Sequence, residues 1–393
     1  MAVSQAAVSA DEWVERAHAL APLVLEHRNQ GERERKLPQP VFRAMREAGL
    51  FSLWVPQSLG GAETDVETSV RVVEELSRQD GAVGWNLMIA GNTSILWSNL
   101  EPSAATDMMG GDPNTVIAGT ITSGTGAAVP TAGGYRVTGR WPFASGCHQA
   151  DWLVAACRIL DDGQPRHAPD GTPRTYTFCL PAAECSILDT WYTAGLRGTG
   201  SHDFQVTDLF VPEQRHFVSR AATVYQPGPL YNTQLANVWG PNITGVALGI
   251  ARDAIDSFVE LASAKRPSRS TVLLADRETV QEKVGIAESL LRSGRAFLFE
   301  TLRRNWRAMQ GGQEIPDELT ALTRLATTTA VGNAIQAVDL MFTTAGSSSI
   351  YATSRLERCF RDVHIVSQHA VVNPAGLVMA GRYFLGHPLG PVR

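Results

Sequence analysis

Residues 139–157, GRWPFASGCHQADWLVAAC, decide how the rest of the chain is read. The stretch opens on Gly139, a turn residue after the alternating Tyr135 and Val137. It closes on the apolar run 152–156, the pattern of a strand buried on both faces. The connection between them carries aromatic rings, a serine, a histidine and small residues. A flat aromatic cofactor needs such a surface: a ring to lie against, a hydroxyl aimed at one ring nitrogen, and a glycine where backbone comes close. The alternative is an ordinary strand pair with a decorated turn, and composition alone favours it.

Upstream of this stretch the spacing is helical. Trp13, Ala17, Leu20, Leu23 and Val24 recur at helix intervals until Leu37-Pro38-Gln39-Pro40 breaks the pattern. Residues 41–48 predict a short helix closed by Gly49, and 65–78 another, with Val66, Val70, Val73 and Leu76 on one side. Residues 81–100 are apolar nearly all round, which predicts a buried helix. Residues 1–113 therefore read as a helical domain.

From Asn114 the grammar changes. The runs 115–122, 135–138, 152–159, 174–180 and 204–211 are β-rich and separated by Gly, Pro, Asp and Ser clusters. An antiparallel β-domain over 114–227 is the expectation, with 161–172 a polar surface loop. After Pro229 helices return. Val280, Val284, Ala287, Leu291, Gly294, Leu298 and Leu302 form a narrow apolar seam, and 322–341 is similar. Residues 228–393 thus predict an antiparallel helical bundle. The fold class is α+β.

The totals narrow the function. The 393 residues carry a net charge of −5, with 44% hydrophobic and 19% charged residues, which argues against nucleic acid or an anionic membrane as the main partner. The five cysteines are odd in number and lack CxxC or metal spacing, which fits free thiols in a reducing cytoplasm. No basic, then apolar, N-terminal pattern and no run of about 20 apolar residues is seen, so neither a signal peptide nor a membrane span is expected. HExxH, an EF-hand loop and GxxxxGK[ST] are missing, so no metal is expected. The glycine-rich GLRGTG of 195–200 leads into a strand rather than a helix, against a dinucleotide fold. A Ser-His hydrolase built on Ser145 and His148 has weak support without GxSxG.

Several polar residues remain as candidates, each with a plainer reading. Ser145 is either a turn residue or a pocket hydroxyl, and His148 a surface loop histidine or a pocket one. Ser201 and His202, before a strand, satisfy local backbone donors or border the same pocket. Arg361-Asp362 reads as a structural ion pair. His364 and His369, five apart, lie on different sides of a helix, and His369 sits among Ala370, Val371 and Val372, where a solvent histidine is unusual.

The order helices, strands, helices, with particular strings, resembles the acyl-CoA dehydrogenase superfamily over nearly the whole chain. The strings are REAGLFSLWVP (46–56) with Gly60-Gly61, residues 134–145, GLRGTGSHDFQVTDLFVPE (195–213) and RLERCFRDVHIVSQH (355–369). The dehydrogenases carry a glutamate base in a Tyr-Glu-Gly-Thr motif shortly after the Arg-Asp pair, where this chain has Gln368, His369, Ala370 and Val371. Others keep that base on an earlier helix, and LASAKRP (261–267) holds none. Where a Trp-Ile-Thr-Asn type motif is expected, Trp141-Pro142-Phe143-Ala144-Ser145-Gly146 stands.

Those departures look like the two-component flavin-dependent monooxygenases of the same fold. The resemblance implies reduced FMN or FAD as cofactor, delivered by a separate NAD(P)H flavin reductase, and O2 with a small aromatic compound as substrates. It implies a C4a-hydroperoxide as oxygen donor and a homotetramer as assembly. Ser145 takes the position of the serine near flavin N5, and His369 that of the histidine near the reacting oxygen. Trp141 and Phe143 would line the flavin site, Ser201 and His202 border it, and Gly346 and Ser347 approach the flavin tail of a neighbouring subunit. Asn92 stands about where many members place a substrate histidine after Gly-Trp, and His148 is the other substrate-side candidate. Three alternatives stay open: an acyl-CoA dehydrogenase with a non-standard base, an N-oxygenase of an amino group, and a flavin-free, non-catalytic member of the fold.

Overall fold

A computed structural model describes residues 8–121, 126–218, 223–268, 270–312 and 314–390. Thr122, the end of the first expected strand, lies outside these, as do residues 1–7 and 391–393. The chain begins with helices α1 (Ala10–His18), α2 (Ala21–Glu34), α3 (Gln39–Glu47), α4 (Val66–Gln79), α5 (Gly81–Ser94) and α6 (Pro102–Met109). Gly49, at φ +77, ends the α3 turn as its position predicts. Asp65 caps α4 by accepting the Thr68 N–H, and Asp80 caps α5 by accepting the Ala82 and Val83 N–H groups. Every residue of α5 except Ile89 is buried, in line with its all-round apolar sequence.

The central layer is one sheet of β1 (Ile117–Thr120), β2 (Gly126–Thr131), β3 (Gly134–Trp141), β4 (Trp152–Asp161), β5 (Gln164–Pro165), β6 (Thr175–Pro181), β7 (Ser186–Leu188), β8 (Asp203–Pro212) and β9 (His216–Val218). The strand order is β7-β8-β3-β2-β4-β6-β9, with β1 and β5 also paired to β4. The sheet is mixed, whereas a wholly antiparallel one was expected. Both β1 and β2 run parallel to β4, with Ile117 opposite Trp152 and Gly126 opposite Cys157. The cause is the connection after β3. It carries the chain back past β2, so that β4 starts from the same end as β1 and β2 instead of returning beside β3 as a hairpin. The site-bearing stretch is therefore the crossover of the sheet.

The last part is helical: α7 (Ala236–Ala264), α8 (Glu278–Gln310), α9 (Asp317–Ala345), α10 (Arg355–Val366) and α11 (Ala375–Phe384). Val280, Ala287, Leu291, Gly294, Leu298 and Leu302 of the expected seam are buried along α8. Helices of the first and last parts share a single apolar core, from Trp13 and Val24 through Trp85 to Phe258, Leu298 and Val366. The sheet has its own core around Trp141, Phe178 and Phe204. Among the described residues no helix is long and apolar enough to cross a membrane.

Close helix packing sets where α5 can lie. A Cβ at Gly84 would overlap the Ser77 hydroxyl, and one at Gly249 would meet the Glu74 carbonyl and stand 2.5 Å from Ser77 Cβ. Gly249→Ala should therefore lower stability by about 1–3 kcal/mol, the usual penalty of overpacking, seen as a lower urea midpoint. Gly285→Ala, at an exposed position of α8 with no neighbour within 4 Å of its Cβ, should raise stability by up to about 1 kcal/mol, seen as a higher urea midpoint.

Candidate functional site

Two loops meet under the N-terminal half of α5. One is the crossover, residues 142–151; the other is the turn 194–202 ahead of β8. Backbone bonds lace them together, Ala144 N–H to His202 O at 3.0 Å and Gly146 N–H to Thr199 O at 3.0 Å. Asn86 of α5 reaches across, donating to Gly198 O at 3.2 Å and to Ala82 O at 2.9 Å. Three segments far apart in sequence are thus held as one unit.

The serines lie inside this unit. Ser145 Oγ stands 2.6 Å from Ser201 Oγ, and Ser201 Oγ 2.7 Å from Thr199 Oγ1, a buried run of three hydroxyls. Trp85 of α5 donates its indole N–H to Ser145 Oγ at 3.0 Å. The same indole faces His369, with ring centroids 5.9 Å apart at 63°. Trp85 therefore bridges Ser145 and His369, residues 224 positions apart by number (369 − 145). Sequence reading used Trp85 only as a landmark. Its signal was there: a Trp inside an apolar helix needs an acceptor for its N–H, and a serine hydroxyl on another segment supplies one.

His369 lies in the turn just past α10 rather than on a helix face, its N–H bonded to Val366 O at 3.2 Å. Its Nδ1 accepts the Val371 N–H at 3.3 Å, which leaves Nε2 as the proton-bearing nitrogen of the neutral ring. Burial pushes its pKa below the ordinary histidine value of 6.5, so the ring is neutral at pH 7.

Phe143 adopts φ +61, a left-handed conformation rare for a bulky side chain. The turn throws its ring out of the sheet: it is 70% exposed and meets Trp191 edge-on at 6.3 Å. His202 is buried and holds the Trp191 segment, its Nδ1 accepting from Thr190 and Trp191 N–H at 3.1 and 3.2 Å. Its ring stands 5.1 Å from that of His148, on the outer side of the crossover.

Other expected site residues are placed elsewhere. Trp141 is fully buried, stacked on Phe204 at 5.0 Å with its N–H on Ala156 O, so it is sheet core and lines no surface. The pleat explains this, since Trp141 still belongs to β3 while the turn begins after it. Asn92 contacts Met88 Sδ and accepts from Asn242, which accepts from Ser69, so its polar atoms tie α5 to α7 and α4. Gly346 and Ser347 are exposed at the end of α9. Arg361 and Asp362 do not pair with each other: Arg361 bonds Glu357 and Glu32, and Asp362 accepts the Leu196 N–H. Among the described residues no cluster of His, Cys, Asp and Glu could hold a metal.

A flavin fits this arrangement better than a phosphate or a metal would. The exposed Phe143 ring offers a face, Ser145 a hydroxyl already oriented by Trp85, and Asn86 Oδ1 is a buried acceptor without a partner beside Gly146. The hydrogen-bond partners of Ser145, Ser201, Trp85 and His369 are hydroxyls, an indole and a backbone amide, with no carboxylate among them.

Residues 9–101 match the acyl-CoA dehydrogenase N-terminal domain family and residues 242–374 the acyl-CoA dehydrogenase C-terminal domain family. An indole-3-acetate monooxygenase of Pseudomonas putida is 32% identical over 355 residues, covering 90% of this chain and 89% of that protein. The flavin-dependent monooxygenase, oxygenase subunit HsaA, of Mycobacterium tuberculosis is 29% identical over 381 residues, 94% of each chain. The solved structure of XiaF from Streptomyces sp., in complex with FADH2 and glycerol, matches with a TM-score of 0.88 at 28% identity, over 97% of both chains.

The neutral state of His369 can be read directly. Its ring C–H resonance, assigned by its loss in His369→Gln, should titrate with a midpoint below 6.5 in NMR spectra; a midpoint at or above that value would contradict the burial argument.

Proposed function

This chain belongs to the acyl-CoA dehydrogenase family, among its flavin-dependent monooxygenases, and on that premise we propose that it is an oxygenase component acting on a small aromatic compound. The observation that carries the reading is Trp85, which holds Ser145 on one side and faces His369 on the other, with no carboxylate bonded to any of them. A dehydrogenase of this fold needs a base to remove a proton beside a thioester; the bonded set here offers hydroxyls and an imidazole instead. That the Mycobacterium relative is an oxygenase subunit supports a separate reductase as partner. The aromatic substrate class is supported by the Pseudomonas relative.

Bound reduced flavin would supply the electrons with which O2 is activated for oxygen transfer. The residues of this chain then have separable tasks. Phe143 would offer a face to the isoalloxazine, and Ser145 would hold its N5 edge by the hydroxyl. Because Trp85 donates to Ser145 Oγ, the serine keeps one proton and one free acceptor site, so it can serve N5 with or without its hydrogen. Ser201 and Thr199 take up whichever polarity results. His369, neutral at pH 7, carries its mobile proton on Nε2 and delivers it to the oxygen side of the site. Burial of the serine run would keep water from the reacting centre when flavin is bound. His202 borders the crossover, and His148, exposed on its outer side against His202, supports the crossover rather than contacting the substrate. Trp141 and Asn92 have their side chains engaged elsewhere, while Gly346 and Ser347, exposed at the end of α9, would reach the flavin tail of a neighbouring subunit.

Supporting a cytoplasmic setting, the five cysteines are all unpaired in disulfides. A homotetramer, which the resemblance implies, is supported by the exposed Leu377, Val378, Phe384 and Leu385 on and after α11. The decisive experiment mixes anaerobically reduced FMN or FAD and protein with 18O2 and a panel of phenols and indoles. One 18O atom in the product is expected, and peroxide alone with every substrate would overturn the reading. Ser145→Ala should stay folded yet divert about 90% or more of the reduced flavin to peroxide, a loss of order tenfold in coupling for one buried hydrogen bond. Unchanged coupling would remove Ser145 from the mechanism.

A further inference from the structure

We infer that Asp362 is the positioning residue that fixes the serine half of the site against the histidine half; this rests on the oxygenase reading above. Asp362 lies on α10, is 3% exposed, and its Oδ1 accepts the Leu196 N–H at 2.6 Å. Leu196 is held at φ +49, a conformation a leucine keeps only where its surroundings impose it. Its own carbonyl accepts the Thr199 N–H at 3.1 Å and the Trp191 indole N–H at 3.2 Å. The bond to Asp362 therefore sets the start of the tight turn 197–199. From that turn Thr199 O receives Gly146 N–H, and Thr199 Oγ1 begins the run through Ser201 to Ser145.

The rest of α10 supports the same docking. Arg361 bonds the Ala194 carbonyl, and a Cβ on Gly195 would stand 2.5 Å from Arg361 O, so only glycine lets the turn lie against the helix. The helix then ends at Val366, whose carbonyl takes the His369 N–H. One rigid element thus grips the turn that carries Ser201 at its middle and presents His369 at its end. Asp362 makes no contact with Ser145, Ser201 or His369, so its influence passes through the Leu196 backbone. Asp80, Glu32 and Arg361 act on its charge, and Arg28 and Arg358 line the cavity beside it.

Three variants test this: Asp362→Ala, which deletes the acceptor, Asp362→Asn, which keeps an amide oxygen there, and Gly195→Ala, which wedges the turn off α10. Deuterium exchange of residues 194–201 is read on flavin-free protein, and the split between product and peroxide on protein with reduced flavin. Asp362→Ala should speed that exchange by about tenfold or more and shift the split toward peroxide, while Asp362→Asn stays within about threefold of the parent in both. Should Asp362→Ala not fold, Gly195→Ala is expected to give the same signature. Unchanged exchange and split in a folded Asp362→Ala or Gly195→Ala, or an Asp362→Asn as impaired as the alanine variant, would overturn the assignment. Because exchange is measured without flavin, it separates the two readings: a parent that makes only peroxide defeats the oxygenase reading and leaves the exchange result standing.

Discussion

The indole N–H of Trp85 is buried where helix layer meets sheet, and a buried donor without an acceptor costs a few kcal/mol. Its acceptor is the hydroxyl of Ser145, on a different segment and in a different layer. Satisfying that one group fixes the crossover against α5, and through Ser201 and Thr199 it fixes the turn ahead of β8 as well. The same ring gives His369 a surface to pack on. Folding and site assembly are therefore coupled: closing the core around Trp85 favours bringing these hydroxyls together.

What holds the layers in register is mostly short and local. Glycines at 84 and 249 let α4, α5 and α7 approach to backbone contact, and the Asn92–Asn242–Ser69 bonds tie the same helices through buried amides and a hydroxyl. Both devices work only in one register, so the helix bearing Trp85 has little freedom to slide. Asp253 and Asp362 are a second kind of tie. Burial raises each to about 7, yet Asp253 remains bonded to Arg355 and Cys359, and Asp362 to the Leu196 amide. Polar groups so deep are tolerated because each has a partner.

Much of this was legible in the residues. Helical spacing around Trp13, Val66 and Val280 gave the outer parts, because a face that must be buried repeats at the helix period. Gly139 reads as a turn residue but lies inside β3 at a register shift, and the turn begins after Trp141. Ser145, Ser201 and His369 were singled out from their neighbours and from the family resemblance, and the structure gathers them around Trp85. What the chain hid were facts set by long-range geometry. The parallel pairing of β1 and β2 with β4 depends on where the crossover returns, which no local pattern encodes. Trp141 and Phe143 look equally fit to line a pocket, but one residue of pleat sends the first ring into the core and a left-handed turn sends the second outward. Asn92 looked like a substitute for a missing histidine until α7 brought Asn242 to it.

The crossover has a further implication for how such a chain can diversify. Its span is dictated by the distance from the end of β3 to the start of β4, and its interior is stitched to the 194–202 turn at Ala144 and Gly146. Extra residues there would break the Ala144 and Gly146 bonds that hold the crossover to the turn. A change of substrate fit is therefore made at least structural cost by exchanging side chains around Ser145 and His369, with the length of the crossover kept.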